Sequence, residues 1–238
     1  MELFEANRQR QLNDVAPLAT RMRPQVLDDL IGQEKIVGPN TLLRKAIEAD
    51  QLSSIVLWGP PGSGKTTLAQ IIATTTKAAF AAVSAATSGV ADLRKAIADA
   101  KDRLGMHGQR TVLFIDEIHR FNKAQQDSIL PHVEDGTVIL VGATTENPSF
   151  EVNAPLLSRS RVLVLNPLRD EDIQTIVRRA LADPDRGLGR ANLTIDDEAL
   201  AFLANMANGD ARFALNTLEL ASTGVTVDRL ITLDLVGE

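Results

Sequence analysis

Apolar and polar positions follow two different periods along this chain. Five short runs, at residues 54–58, 79–84, 111–115, 138–144 and 161–165, are almost continuously apolar and rich in Val, Ile, Leu and Ala. That is the pattern of strands buried on both faces. Between them, residues 41–49, 66–75, 90–103 and 123–133 carry apolar side chains every three to four positions, the period of helices with one buried stripe. Strands alternating with helices imply a parallel sheet whose crossovers are the helices. The expected core is therefore α/β, with five parallel strands.

After Pro167 only the helical period remains, at 170–181, 195–207 and 210–221. The reading is a core over residues 17–166 and a small all-α lid domain over 167–238, hinged between Asn166 and Pro167. Residues 1–16 are polar and form a flexible lead-in. The chain stops at ITLDLVGE, where Thr232 is placed to cap a further helix, so the pattern predicts that a C-terminal region is missing.

Composition narrows this picture. With 44% hydrophobic and 24% charged residues among 238, the chain can bury a sizeable core. Aromatics are 3%, with one Trp and no Tyr, so that core is aliphatic. The absence of Cys excludes disulfides and thiolate metal sites and suits a reducing compartment. No apolar run approaches the roughly 18 residues of a membrane span, and the acid-bearing N-terminus lacks a signal pattern; a cytoplasmic protein is expected. The net charge of -6 argues against a generally basic nucleic-acid binder but not against a local basic strip.

The chemistry lies at the predicted strand tips. LWGPPGSGKTTLAQ joins the first strand to a helix, and Gly59, Gly64, Lys65 and Thr66 match G-x-x-x-x-G-K-[ST] without a mismatch. In such a loop Gly59, Pro60, Pro61, Gly62, Ser63 and Gly64 wrap a polyphosphate, and Lys65, Thr66 and Thr67 open the helix beneath it. Lys65 then reaches the β- and γ-phosphates and Thr66 offers its hydroxyl to Mg²⁺. Asp116 and Glu117 end the third strand, as an Mg²⁺ ligand and a base for the attacking water. His119 reads as a structural or interface residue rather than a ligand or base, and His107 and His132 share no metal-site spacing with it. At the fourth strand tip Thr145, with Asn147 second, is expected beside the γ-phosphate. A phosphoryl-transfer site still needs an added cation. Arg159 and Arg161 have no acid within five residues, and Arg159, just before the last strand, is expected to reach the nucleotide of an adjacent subunit. Arg212 sits where a helix start disfavours a cation, which marks it as a second arginine, acting in cis.

Together these motifs resemble the AAA+ ATPases. The stretches SAATSGVADLRKAI, IDEIHRFNKAQQDSILPHVEDGT and VGATTENPSFEVNAPLLSRSRV are similar to the family of replication-associated recombination protein A and the Werner-helicase-interacting ATPase. The resemblance implies that Thr145 is a first sensor, Arg159 a trans arginine finger and Arg212 a second sensor. It also implies that Ile31 and Gly32 cradle adenine and that the cofactors are ATP and Mg²⁺. It implies ATP hydrolysis by homo-oligomers at stalled replication forks or gapped DNA, with single-strand/duplex junctions and fork proteins as partners. Residues 89–95, with Arg94 and Lys95, would line the DNA channel. Two other classes remain open: a protein-remodelling AAA+ ATPase, disfavoured because SAATSGV has no aromatic residue, and a nucleotide-gated scaffold.

Overall fold

The computed structural model describes residues 16–225 and 228–237. All but the last residue of the expected flexible lead-in lies outside the described residues. Two compact units are present: Pro24–Asn166, and Pro167 onward together with residues 16–23.

The first unit holds the sheet. After α1 (Leu18–Arg21), which belongs to the other unit, its elements in order are α2 (Glu34–Val37), α3 (Leu42–Glu48), β1 (Ile55–Trp58), α4 (Lys65–Thr75), β2 (Ala79–Ser84), α5 (Val90–His107), β3 (Thr111–Asp116), α6 (Lys123–Glu134), β4 (Val138–Thr144), α7 (Pro148–Glu151), α8 (Ala154–Ser158) and β5 (Arg161–Val164). All five strands are parallel, in the order β2-β3-β4-β1-β5. Side chains alternate between the faces, as a pleated strand requires. From β3, Val112 and Phe114 enter one core with Leu68, Ile71 and Ile72 of α4. Leu113 and Ile115 enter the other with Leu93 and Ile97 of α5 and Ile129 of α6. α5 runs a turn further than its apolar period indicates, to His107, where Gly108 adopts the left-handed conformation that closes a helix.

The last strand departs from expectation. β5 reads as a buried strand, but Val162 and Val164 are 41% and 49% exposed. Among the described residues β5 is an edge strand, paired only with β1, and of its side chains only Leu163 turns into the core.

The second unit contains α9 (Asp170–Ala182), β6 (Thr194–Ile195), α10 (Asp197–Ala207), α11 (Ala211–Thr223), β7 (Leu230–Ile231) and α12 (Leu233–Gly237). Its core is aliphatic, built from Ile173, Val177, Leu200, Leu203, Leu218 and Ile231. Two expectations are corrected here. Residues 17–23, assigned by pattern to the sheet unit, pack in this one. Leu18 is fully buried in its core, Leu18 N–H donates to Glu219 Oε2, and Arg21 pairs with Glu219 at 3.0 Å. The unit is also not purely helical, because Ile195 pairs in parallel with Ile231. Two-residue strands are too short to produce a periodic signal. Among the described residues no helix is long and apolar enough to cross a membrane.

Candidate functional site

Three neighbouring strand tips carry the candidate chemistry. β1 leads into the loop 59–64, β3 ends at Asp116, and β4 lies between them. In register, Trp58 faces Thr144 and Ile115 faces Gly142, so the three strands finish nearly level. Two strand spacings of roughly 4.8 Å separate the loop's strand from the acid's. Ligands in parallel sheets bind at this carboxyl edge.

The loop has the backbone of a phosphate cradle. Gly62 and Gly64 have φ of 68° and 98°, a region that only glycine enters freely. The first bond of α4 runs from Leu68 N–H to the Gly64 carbonyl. The amides of Lys65, Thr66 and Thr67 therefore have no acceptor within the helix and are directed at its N-terminus, where an anion is favoured. Lys65 Nζ donates to the carbonyls of Gly59 (2.8 Å) and Pro60 (2.7 Å), and the Ser63 hydroxyl closes the turn onto Pro60. Thr66 and Asp116 suit a Mg²⁺ that takes most of its ligands from phosphate and water. Gly59 is required for a different reason: a Cβ there would lie 2.5 Å from the Leu165 carbonyl. Gly59→Ala should cost about 1–3 kcal/mol, lowering Tm by about 5 °C and weakening nucleotide binding. Thermal unfolding with and without ATP checks this; an unchanged Tm would show that the loop accommodates the methyl group.

Behind the loop stands Gln33, 2% exposed. Its amide donates to the carbonyls of Ser63 and Asn166 and accepts from Asn166 N–H. Gln33 thus ties the loop to the end of β5 and to the segment bearing Ile31 and Gly32. Leu30 from that segment would lie 3.5 Å from a Cβ at Gly64.

Glu117 follows Asp116 in a left-handed conformation, φ 52° and ψ 47°. A 3₁₀ turn, Ile118–Arg120, comes next, and Arg120 Nε lies 2.5 Å from Glu117 Oε2. Buried Ile118 and Phe121 pin this turn. His119 Nδ1 is 2.9 Å from the hydroxyl of buried Thr144. That hydroxyl also accepts from Glu146 N–H, linking the acid turn to the tip of β4. Thr145 is exposed, and its carbonyl accepts from the Trp58 indole at 3.3 Å. Asn147 is engaged as the cap of α7, accepting from Ser149 N–H.

Gln126, 2% exposed, joins the acid turn to the arginine segment. Its amide donates to the Phe121 and Glu151 carbonyls, and its oxygen accepts from Asn153 N–H, the cap of α8. Arg159 follows α8. It is not unpaired: Nη2 lies 2.6 Å from Glu134 Oε1. Glu134 is 25 residues away in sequence, outside the reach of a local scan for acids. Arg161 is exposed, as are Arg94 and Lys95 in the first turns of α5.

Arg212 belongs to the second unit. Asp210 caps α11 by accepting from the backbone N–H groups of Arg212 and Phe213, which offsets the unfavourable placement of a cation there. In the same unit Arg23 is held below the usual guanidinium range by burial and by the charge of Arg212. The sequence contains no signal for that proximity.

Comparison with known proteins agrees with this arrangement. Residues 22–171 match the model of the Holliday junction DNA helicase RuvB P-loop domain, and residues 189–238 match an AAA C-terminal domain. Replication-associated recombination protein A of Haemophilus influenzae is 49% identical over 233 residues, covering 95% of this chain and 52% of that protein. The Escherichia coli K12 protein of the same name is 50% identical, covering 91% and 48%. The chain thus spans about half the length of the curated relatives it matches. Among solved structures, the Thermotoga maritima RuvB Holliday junction branch migration motor superposes with a TM-score of 0.71 at 32% identity, covering 91% of this chain and 71% of that one.

Proposed function

This chain belongs to the AAA+ ATPases with a RuvB-type P-loop domain, in the family of replication-associated recombination protein A, and on that premise we propose that it hydrolyses ATP between copies of itself in response to DNA at stalled forks or gaps. The observation that carries the reading is the glycine cradle on β1 with Asp116 and Glu117 two strands away. In this reading Lys65 holds the β- and γ-phosphates, and Thr66 and Asp116 hold Mg²⁺. Glu117 takes a proton from the attacking water, and Thr145 orients that water. Bound Mg²⁺ supplies charge neutralisation at the phosphates. Ile31 and Gly32 lie against adenine. Arg159 meets the γ-phosphate of a neighbouring copy, and Arg212 acts within its own chain. Arg94 and Lys95 meet the DNA backbone.

The test is ATP turnover by the full-length protein with and without a single-strand/duplex junction. Stimulation by the junction, with turnover in Arg159→Ala reduced on the order of 10³-fold, is the expected result. Turnover indifferent to every DNA form would reject the DNA-coupled reading in favour of a protein substrate or a nucleotide-gated scaffold.

A further inference from the structure

Among the described residues the head group of Arg159 has three contacts: Glu134 Oε1 at 2.6 Å from Nη2, and the Pro155 carbonyl (3.0 Å) and Ser158 hydroxyl (2.9 Å), both from Nη1. A guanidinium has five N–H groups, so the Nε–H and one Nη2–H remain. Arginine meets a phosphate through such a two-donor fork.

Glu134 is an unexpected partner on local grounds. It is the last residue of α6, where the negative end of the helix dipole disfavours a carboxylate. The next acid, Asp135, is committed to its own turn through Thr137 N–H. Glu134 instead reaches across to Arg159. A residue placed against local preference points to a role for its side chain. α6 is also fastened to the arginine segment at its other end, through Gln126 and Asn153. One helix, beginning just after the Glu117 turn, thus fixes both the start of α8 and the head group that follows it.

We infer that Glu134 is a positioning residue for hydrolysis at a neighbouring copy's nucleotide, presetting the Arg159 guanidinium so that its remaining donors form a fork for phosphate. This rests on the trans role proposed for Arg159. Both side chains are nearly half exposed, at 44% and 42%. Water screens such a pair too well for it to hold up the fold, so its effect falls on the orientation of the cation.

The experiment uses the assembled full-length protein. Glu134→Ala should lower kcat about 10-fold, with KM for ATP and Tm unchanged. Glu134→Asp should recover most of the loss, and the Glu134→Ala/Arg159→Ala double variant should be no slower than Arg159→Ala. Mixing Glu134→Ala with Lys65→Ala copies should raise turnover above either alone, because intact sites on the first then receive Arg159 from the second. A mixture no more active than its parts would place Glu134 in its own chain's site and overturn the inference. So would a fall in Tm parallel to kcat that Glu134→Asp does not rescue. Normal turnover in Glu134→Ala beside a slow Arg159→Ala overturns the inference and leaves the trans arginine standing. Normal turnover in Arg159→Ala removes the trans arginine itself.

Discussion

Glu117→Gln is expected to slow ATP turnover about 10³-fold while leaving ATP bound as tightly as before. A positioned base contributes roughly 10²- to 10⁴-fold, and the amide has the same shape without the basicity. Two features of the structure make the substitution clean. The backbone at residue 117 is left-handed, a conformation that side chains beyond Gly, Asn and Asp seldom adopt. It is imposed from outside, by burial of Ile118 and Phe121 and by the Arg120 N–H to Glu117 carbonyl bond of 2.8 Å. None of these depends on the carboxylate. The contact with Arg120 survives as a hydrogen bond to the amide oxygen. Single-turnover hydrolysis beside equilibrium binding of ATP makes the comparison. Retained turnover would mean that the base is elsewhere at the strand tips; lost binding would mean that the acid holds the nucleotide.

Lys65→Ala should act at the opposite step. In the proposed site its ammonium meets the β- and γ-phosphates, and removing one such preorganised donor should cost on the order of 10²- to 10³-fold in rate, with loss of affinity besides. The fold should not notice. Lys65 Nζ contacts two carbonyls of its own loop, while the strands and helices on either side are held by the aliphatic cores. The sharpest readout is thermal. A ligand present at 100 times its Kd raises stability by about 2.7 kcal/mol. Tm without ATP should match the parent chain, and the rise on adding Mg-ATP should vanish. A full ATP-induced rise in Lys65→Ala would remove this lysine from the binding site.

The strands and the cradle were legible because both are local. A run of Val, Ile and Leu reports burial within itself, and eight consecutive residues encode the phosphate loop. What the sequence left out is the identity of partners. Glu134 meets Arg159 across a strand and two helices. Gln33 and Gln126 look like surface residues in any window, yet each is buried with its amide bonded to three backbone groups, most of them distant in sequence. Leu18 carries an ordinary apolar signal that says nothing of which core it enters. β5 has the composition of a central strand, and only the strand order makes it an edge. His119 carries no sequence signal for its partner, which is Thr144, one residue before the favoured Thr145.

The hydrogen bond from the Trp58 indole to the Thr145 carbonyl gives the molecule an optical property as well. Trp58 is the only tryptophan in the chain, and there is no tyrosine. Near-ultraviolet emission therefore arises from one fluorophore, at the end of the strand that leads into the phosphate loop. Its colour and intensity depend on whether that indole is bonded and how wet its surroundings are. The sequence thus carries its own dye at the carboxyl edge of the sheet, and stopped-flow emission can time events there without a label.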